Sequence, residues 1–257
     1  MNPLGAQTPI YLDQHALLVG TTGSGKSTRM VRQLAWRMGR VKNIDPSAYK
    51  ILIVDTKPVS FGQDDDVGHY GFTGGAIYRD WRVLDLAKAP GRLLIYRPTQ
   101  DLINPDEFAK FFNRLLDYRY HDNRTKKDTP LPFTIIVDEL VDIFSSEKTR
   151  TAYIEGFTKI LVQGRSSLQT LWILTQYPTY IDPSIKRNVA VNFVFRLPDE
   201  NDRKVMAGIL GFKEVGGPIR SPHGFFYQNA AIAATTENLV YYNGNGPAPA
   251  MGRAANG

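Results

Sequence analysis

"GTTGSGKST", residues 20–28, follows directly on the apolar run "HALLV" and opens a segment of helical pattern. Gly20 to Ser27 satisfy G-x-x-x-x-G-K-[ST] at every fixed position, in the strand-then-helix context that the motif requires. Glycines at 20, 23 and 25 let the backbone turn tightly, so that successive N–H groups face inward around phosphate oxygens. The N-terminus of the following helix adds the positive end of its dipole. Gly20, Thr21, Thr22, Gly23, Ser24, Gly25, Lys26, Ser27 and Thr28 are therefore the expected nucleotide-binding segment. Lys26 is a mobile cation for the β- and γ-phosphates, and Ser27 offers a hydroxyl to Mg²⁺. ATP and Mg²⁺ are the cofactors this implies.

A phosphate loop needs an acidic strand beside it. "FTIIVDEL" (133–140) supplies one, an apolar run ending in Asp138-Glu139. Asp138 at the strand tip is placed to hold the Mg²⁺ water shell. Glu139, one residue on, is placed to polarise an attacking water, which favours hydrolysis over transfer to a small acceptor. Asp64, Asp65 and Asp66 are acidic too, but no apolar strand precedes them.

Farther out, apolar β-rich runs alternate with helical patterns. The predicted strands are 15–20, 50–56, 92–97, 133–139, 170–176 and 189–195; the predicted helices are 26–39, 105–121, 150–166 and 200–210. Several strands are continuously apolar, as in a sheet covered on both faces. The alternation predicts an α/β fold, a three-layer P-loop NTPase with a mainly parallel central sheet. "GFFYQ" and "NLVYY" are predicted to close the sheet at its end. Residues 59–75 and 121–132 are predicted loops; residues 1–243 are expected to form one domain and 244–257 a flexible tail.

"TLWILTQYP" (170–178) is a buried-looking strand that ends on an amide, Gln176. In P-loop ATPases with an extra strand between the phosphate-loop strand and the acidic strand, the tip of that strand lies near the γ-phosphate. Gln176, aided by Thr175, is the expected sensor there.

The composition is that of an ordinary globular chain: 257 residues, 42% hydrophobic and 22% charged. No run of eighteen or more apolar residues exists, and the first residues lack the basic and apolar regions of a secretory signal. The absence of cysteine excludes disulfides, cysteine nucleophiles and cysteine-ligated zinc. The four histidines, 15, 69, 121 and 223, show no metal-ligand spacing. A net charge of +6 is compatible with a polyanionic partner without requiring one. Met30, Trp36 and Met38 on the first helix are expected to pack.

"GRSSLQTLWILTQYP" (164–178), "ILIVDTKP" (51–58) and "NVAVNFVFRLPDENDRKVMAGILG" (188–211) together resemble the FtsK–HerA superfamily of DNA-pumping ATPases, and within it the genome-packaging ATPases of tailless icosahedral viruses with an internal membrane. The resemblance spans most of residues 15–211. It implies a ring, usually hexameric, that threads double-stranded DNA, sited in the host cytoplasm or at a virion packaging vertex, with capsid or membrane vertex proteins as further partners. It implies a catalytic set of Lys26, Glu139, Gln176 and an arginine donated by the neighbouring subunit. Arg165 matches the Gly-Arg position; Arg150 and Arg187 are alternatives. Lys186, Arg187, Arg124, Lys126 and Lys127 are the expected DNA-backbone contacts. Asp55 and Lys57 line either the site or the channel. A conjugative or plasmid DNA pump, and a P-loop ATPase acting on protein, are the competing readings.

Overall fold

The computed structural model describes residues 10–40, 42–43, 48–56, 76–118, 131–139, 150–181, 183–221, 223–229 and 239–242. The expectations placed on Lys57, Asp64, Asp65, Asp66, Arg124, Lys126, Lys127, the 59–75 loop and the tail 244–257 fall outside these residues.

The strands are β1 (Ala16–Val19), β2 (Lys50–Asp55), β3 (Ala76–Tyr78), β4 (Leu93–Tyr96), β5 (Phe133–Asp138), β6 (Gln169–Thr175), β7 (Val191–Phe195), β8 (Phe225–Asn229) and β9 (Leu239–Tyr242). They form one sheet in the order β3-β4-β2-β5-β6-β1-β7-β8-β9. β1 to β7 run parallel; β8 and β9 are antiparallel additions at one edge. β6 pairs with both β5 and β1. The inserted strand that the sequence called for is therefore in place, between the phosphate-loop strand and the acidic strand. β3 was not foreseen from the sequence, being only three residues long and half-buried.

The central strands are buried throughout and alternate their side chains between two cores. Leu17, Val137, Leu171 and Ile173 face one core, together with α2 (Pro105–Asp117), α3 (Arg150–Gln163) and α5 (Glu200–Leu210). Ala16, Leu18, Ile136, Trp172 and Leu174 face the other, covered by α1 (Lys26–Arg40). The result is the three-layer arrangement that continuous apolar strands require. On α1, Met30 is fully buried, while Trp36 is half-buried with its ring edge-on to Tyr11 at 6.3 Å.

Helix boundaries follow local chemistry. Asn104 caps α2 by accepting from the Glu107 N–H, with Pro105 at the first helical position. Within the described residues α2 ends at Asp117, short of the expected 121. α3 stops at Gln163, three residues before the expected end, and the next position, Gly164, has no room for a side chain. A methyl group there would meet the Gln169 carbonyl oxygen at 2.3 Å and the Ile160 carbonyl oxygen at 2.5 Å. A short 3₁₀ turn, Arg165–Ser167, then feeds β6. A one-and-a-half-turn helix, α4 (Pro183–Asn188), was also unforeseen.

Candidate nucleotide site

The C-terminal ends of β1, β5, β6 and β7 converge on residues 20–28. The phosphate loop is tied to its neighbours on both sides. Gly20 N–H donates to the Thr175 carbonyl at 3.1 Å, and Thr21 N–H to the Arg196 carbonyl at 3.1 Å. Gly23 and Gly25 take φ values of +74° and +100°, which L side chains rarely adopt. Lys26 is buried and lies along the loop, its Nζ donating to the Gly20 carbonyl and to the Thr21 carbonyl at 3.0 Å. Ser24 Oγ is buried and has no hydrogen-bond partner. A buried hydroxyl with nothing to bond inside a loop of inward amides suits a ligand rich in acceptor oxygens.

The acidic strand lies two places from β1. Asp138 is buried at its tip, level with Asp55 on β2. Asp55 is ion-paired with Arg97, through contacts of 3.0 and 3.1 Å, so its charge is matched where it stands. Asp138 and Ser27 offer one carboxylate and one hydroxyl. That donor set fits Mg²⁺, which keeps several waters and takes its remaining oxygens from phosphates. Among the described residues, no group of three or more His, Cys, Asp or Glu side chains forms an all-protein metal cage.

Glu139 is the strained residue of the site. Its φ of +75° is left-handed without being glycine. The carboxylate is held in return: Oε1 accepts from Thr175 Oγ1 at 3.1 Å and from the Gln176 N–H at 3.2 Å. Gln176 also reaches the other way, its Oε1 accepting from Thr22 Oγ1 at 3.0 Å. The structure thus brings Lys26, Glu139, Gln176 and the phosphate loop together. Thr22 as the partner of Gln176 was not foreseen. The only sequence signal was a hydroxyl at a free position of the motif.

The arginines and lysines distribute differently. Arg165 is exposed at the start of β6, its Nε donating to the Asp13 carbonyl at 3.2 Å. The seven residues of β6, at about 3.3 Å each, put it roughly 20 Å from the phosphate loop of its own chain. Arg187 is exposed, but Lys186 beside it is buried, so of that pair only Arg187 presents its charge to solvent. Arg150 begins α3.

No protein-family model matches the sequence, and no curated protein matches it either. Solved structures do. The genome-packaging NTPase B204 of Sulfolobus turreted icosahedral virus 2, solved with AMPPCP, superposes with a TM-score of 0.60 at 16% identity, over 90% of this chain and 98% of that one. The cytoplasmic domain of the type VII secretion ATPase EccC from Thermomonospora curvata gives 0.57 at 16% identity, over 89% of this chain and 25% of that one. The pCW3 conjugation coupling protein TcpA, with ATPγS, gives 0.53 at 17% identity, over 91% and 61%. The chain has the P-loop NTPase fold. At these identities the likeness speaks for architecture, and there it agrees with the resemblance drawn from residues 15–211. Among the described residues, no helix is long and apolar enough to cross a membrane.

Proposed function

We propose that this P-loop chain hydrolyses ATP to drive double-stranded DNA through a homo-oligomeric ring, as the motor subunit of viral genome packaging. The observation that carries the reading is the double engagement of Gln176, backbone on Glu139 and side chain on Thr22. A change at the γ-phosphate is then felt at the catalytic carboxylate through one residue. Lys26 and the loop amides bind the phosphates, and Ser27 with Asp138 would hold a Mg²⁺ ion, whose chemistry there would be to neutralise phosphate charge. Glu139 orients the attacking water and takes its proton. Arg165 stands at the wrong end of β6 to serve its own nucleotide. It is exposed and suited to a neighbour's site, where an arginine in trans is worth about 10³-fold or more in rate.

The DNA substrate is supported by near end-to-end correspondence with the packaging NTPase, and Arg187 is the described candidate for backbone contact. A protein-moving ATPase is the second reading, supported by the superposition on EccC. Turnover of the purified chain, measured with and without double-stranded DNA at low salt, separates the two: stimulation supports the motor, and indifference removes the DNA reading. Mixing Arg165→Ala with Glu139→Gln subunits tests the trans arginine. Recovery of part of the activity is expected, and its absence would overturn that role.

A further inference from the structure

Resting on the ATP-site reading above, we infer that His223 is a nucleotide-contacting residue that takes the ribose of the ligand. β8 runs against β7, with Phe225 level with Phe195, so β8 starts at the edge of the sheet where the phosphate loop lies. The turn that precedes it is closed by the Gly224 N–H donating to the Ser221 carbonyl at 3.1 Å. Gly224 is closely packed there: a methyl group on it would meet Tyr241 Oη at 2.4 Å and Ile219 Cγ2 and Ser221 Cβ at 3.0 Å. The turn is also registered to the phosphate-loop helix: the Arg29 guanidinium of α1 lies over the Phe225 ring at 4.2 Å. His223 is exposed ahead of β8, and a methyl group on Gly25 would meet its Nδ1 at 3.9 Å. The imidazole therefore overhangs the phosphate loop itself.

The direction follows from the order of strands. Glu139 and Gln176 mark the γ-phosphate end, and they belong to β5 and β6, on one side of β1. His223 approaches from β8, on the other side. A triphosphate with its γ-end at Glu139 and its chain along Gly25 to Ser27 points its nucleoside end toward His223. An imidazole there hydrogen-bonds a ribose hydroxyl, from a position that no phosphate-loop motif specifies.

Isothermal titration of the full chain with MgATP and with magnesium tripolyphosphate tests this. His223→Ala should weaken ATP about fivefold, the loss of one hydrogen bond to a neutral group. It should leave tripolyphosphate within about twofold, the residual expected where no direct bond is lost. His223→Asn, which keeps a donor, should recover most of the ATP affinity. Unchanged ATP affinity in His223→Ala would overturn the inference while the ATP site stands; an equal loss on tripolyphosphate would overturn the assignment to the nucleoside end. If the unaltered chain binds neither ligand, the ATP-site reading itself fails. Lys26→Ala, which should weaken both ligands, marks that case apart.

Discussion

The two edges of the central sheet use polar residues in opposite ways. At the C-terminal edge they are left facing a place for a ligand: Ser24 Oγ has no partner, Glu139 sits at a left-handed φ, and Gln176 bridges strand and loop. At the N-terminal edge most of them are used up internally, though Arg37 Nε, Gln169 Oε1 and His15 Nε2 are buried without a partner. Arg37 is fully buried with its guanidinium over the Trp172 ring at 4.5 Å. It donates to Tyr49 Oη at 3.0 Å, Thr170 Oγ1 at 3.2 Å, the Ile10 carbonyl at 3.1 Å, the Tyr11 carbonyl and Thr134 Oγ1. Burial lowers its pKa, and the acceptors around it are neutral. A charge enclosed by neutral acceptors fixes one arrangement and has little left for a ligand. The same strands β5 and β6 thus carry a working end and a fastening end, and substitutions at the two should separate activity from stability.

The largest expected effect is at the working end. Glu139→Gln keeps the shape and the contact with Thr175 but cannot take a proton. Hydrolysis should fall by about 10³-fold, within the range for loss of a general base. Nucleotide affinity and the melting temperature should hardly move. A variant that hydrolyses at the normal rate would remove Glu139 from the mechanism and blur the contrast between edges.

The second effect lies at the fastening end. Arg37→Met removes five hydrogen bonds, although Tyr49, Thr134 and Thr170 can still bond one another. The Ile10 carbonyl is left without this donor, which costs about 1–3 kcal/mol, partly offset by no longer burying a cation, while the Tyr11 carbonyl still accepts from the Gln14 N–H. A net loss of roughly 2 kcal/mol in urea unfolding is expected. Turnover per folded molecule should be unchanged, since the phosphate loop is on the order of 20 Å away along β6. A fall in turnover without a fall in stability would show that the two ends are coupled.

The sequence disclosed these ends unequally. That residues 20–28 join β1 to α1, and that Asp138-Glu139 and Gln176 lie at the tips of neighbouring strands, was legible because the motif fixes residue type, spacing and strand-then-helix context together. The sheet was legible because its strands are buried on both faces and read as unbroken apolar runs. The fastening end was not. Arg29, Gln33 and Arg37 recur every fourth residue on the buried face of α1, and nothing in that pattern says whether such residues emerge to solvent or are caged. Lys186 misled for the same reason: a charge after a strand tip reads as exposed, yet it is buried on α4. Glu139's backbone conformation is set by what Thr175 and Gln176 hold, which lies far off in the chain. His223 carries no spacing signal, because its place depends on β8 running backward beside β7.

The effect that is smallest at neutral pH sharpens the contrast as the pH falls. His15 is buried at the fastening end, its Nδ1 accepting from the Leu171 N–H at 2.9 Å. Burial, with help from the nearby Arg165 and Arg37 charges and against a hydrogen bond with the Leu161 backbone, lowers its pKa from 6.5 to about 4. Above pH 6.5 the imidazole is neutral in both the folded and unfolded chain and stability does not depend on it. As pH falls from 6.5 to about 4, the unfolded chain takes up a proton that the folded chain refuses. Stability therefore falls with pH across that window, by about 3 kcal/mol in all, and not further below it. Carboxylates titrate in the same range, so the informative quantity is the difference between the unaltered chain and His15→Asn, whose side-chain oxygen can still accept from Leu171. Urea unfolding between pH 4 and 8 should show the variant losing less stability on acidification, the two curves running parallel above pH 6.5. Parallel curves throughout would mean that His15 takes up its proton in the folded chain as readily as in the unfolded one. The N-terminal edge would then be open to water, and no longer the sealed counterpart of the nucleotide edge.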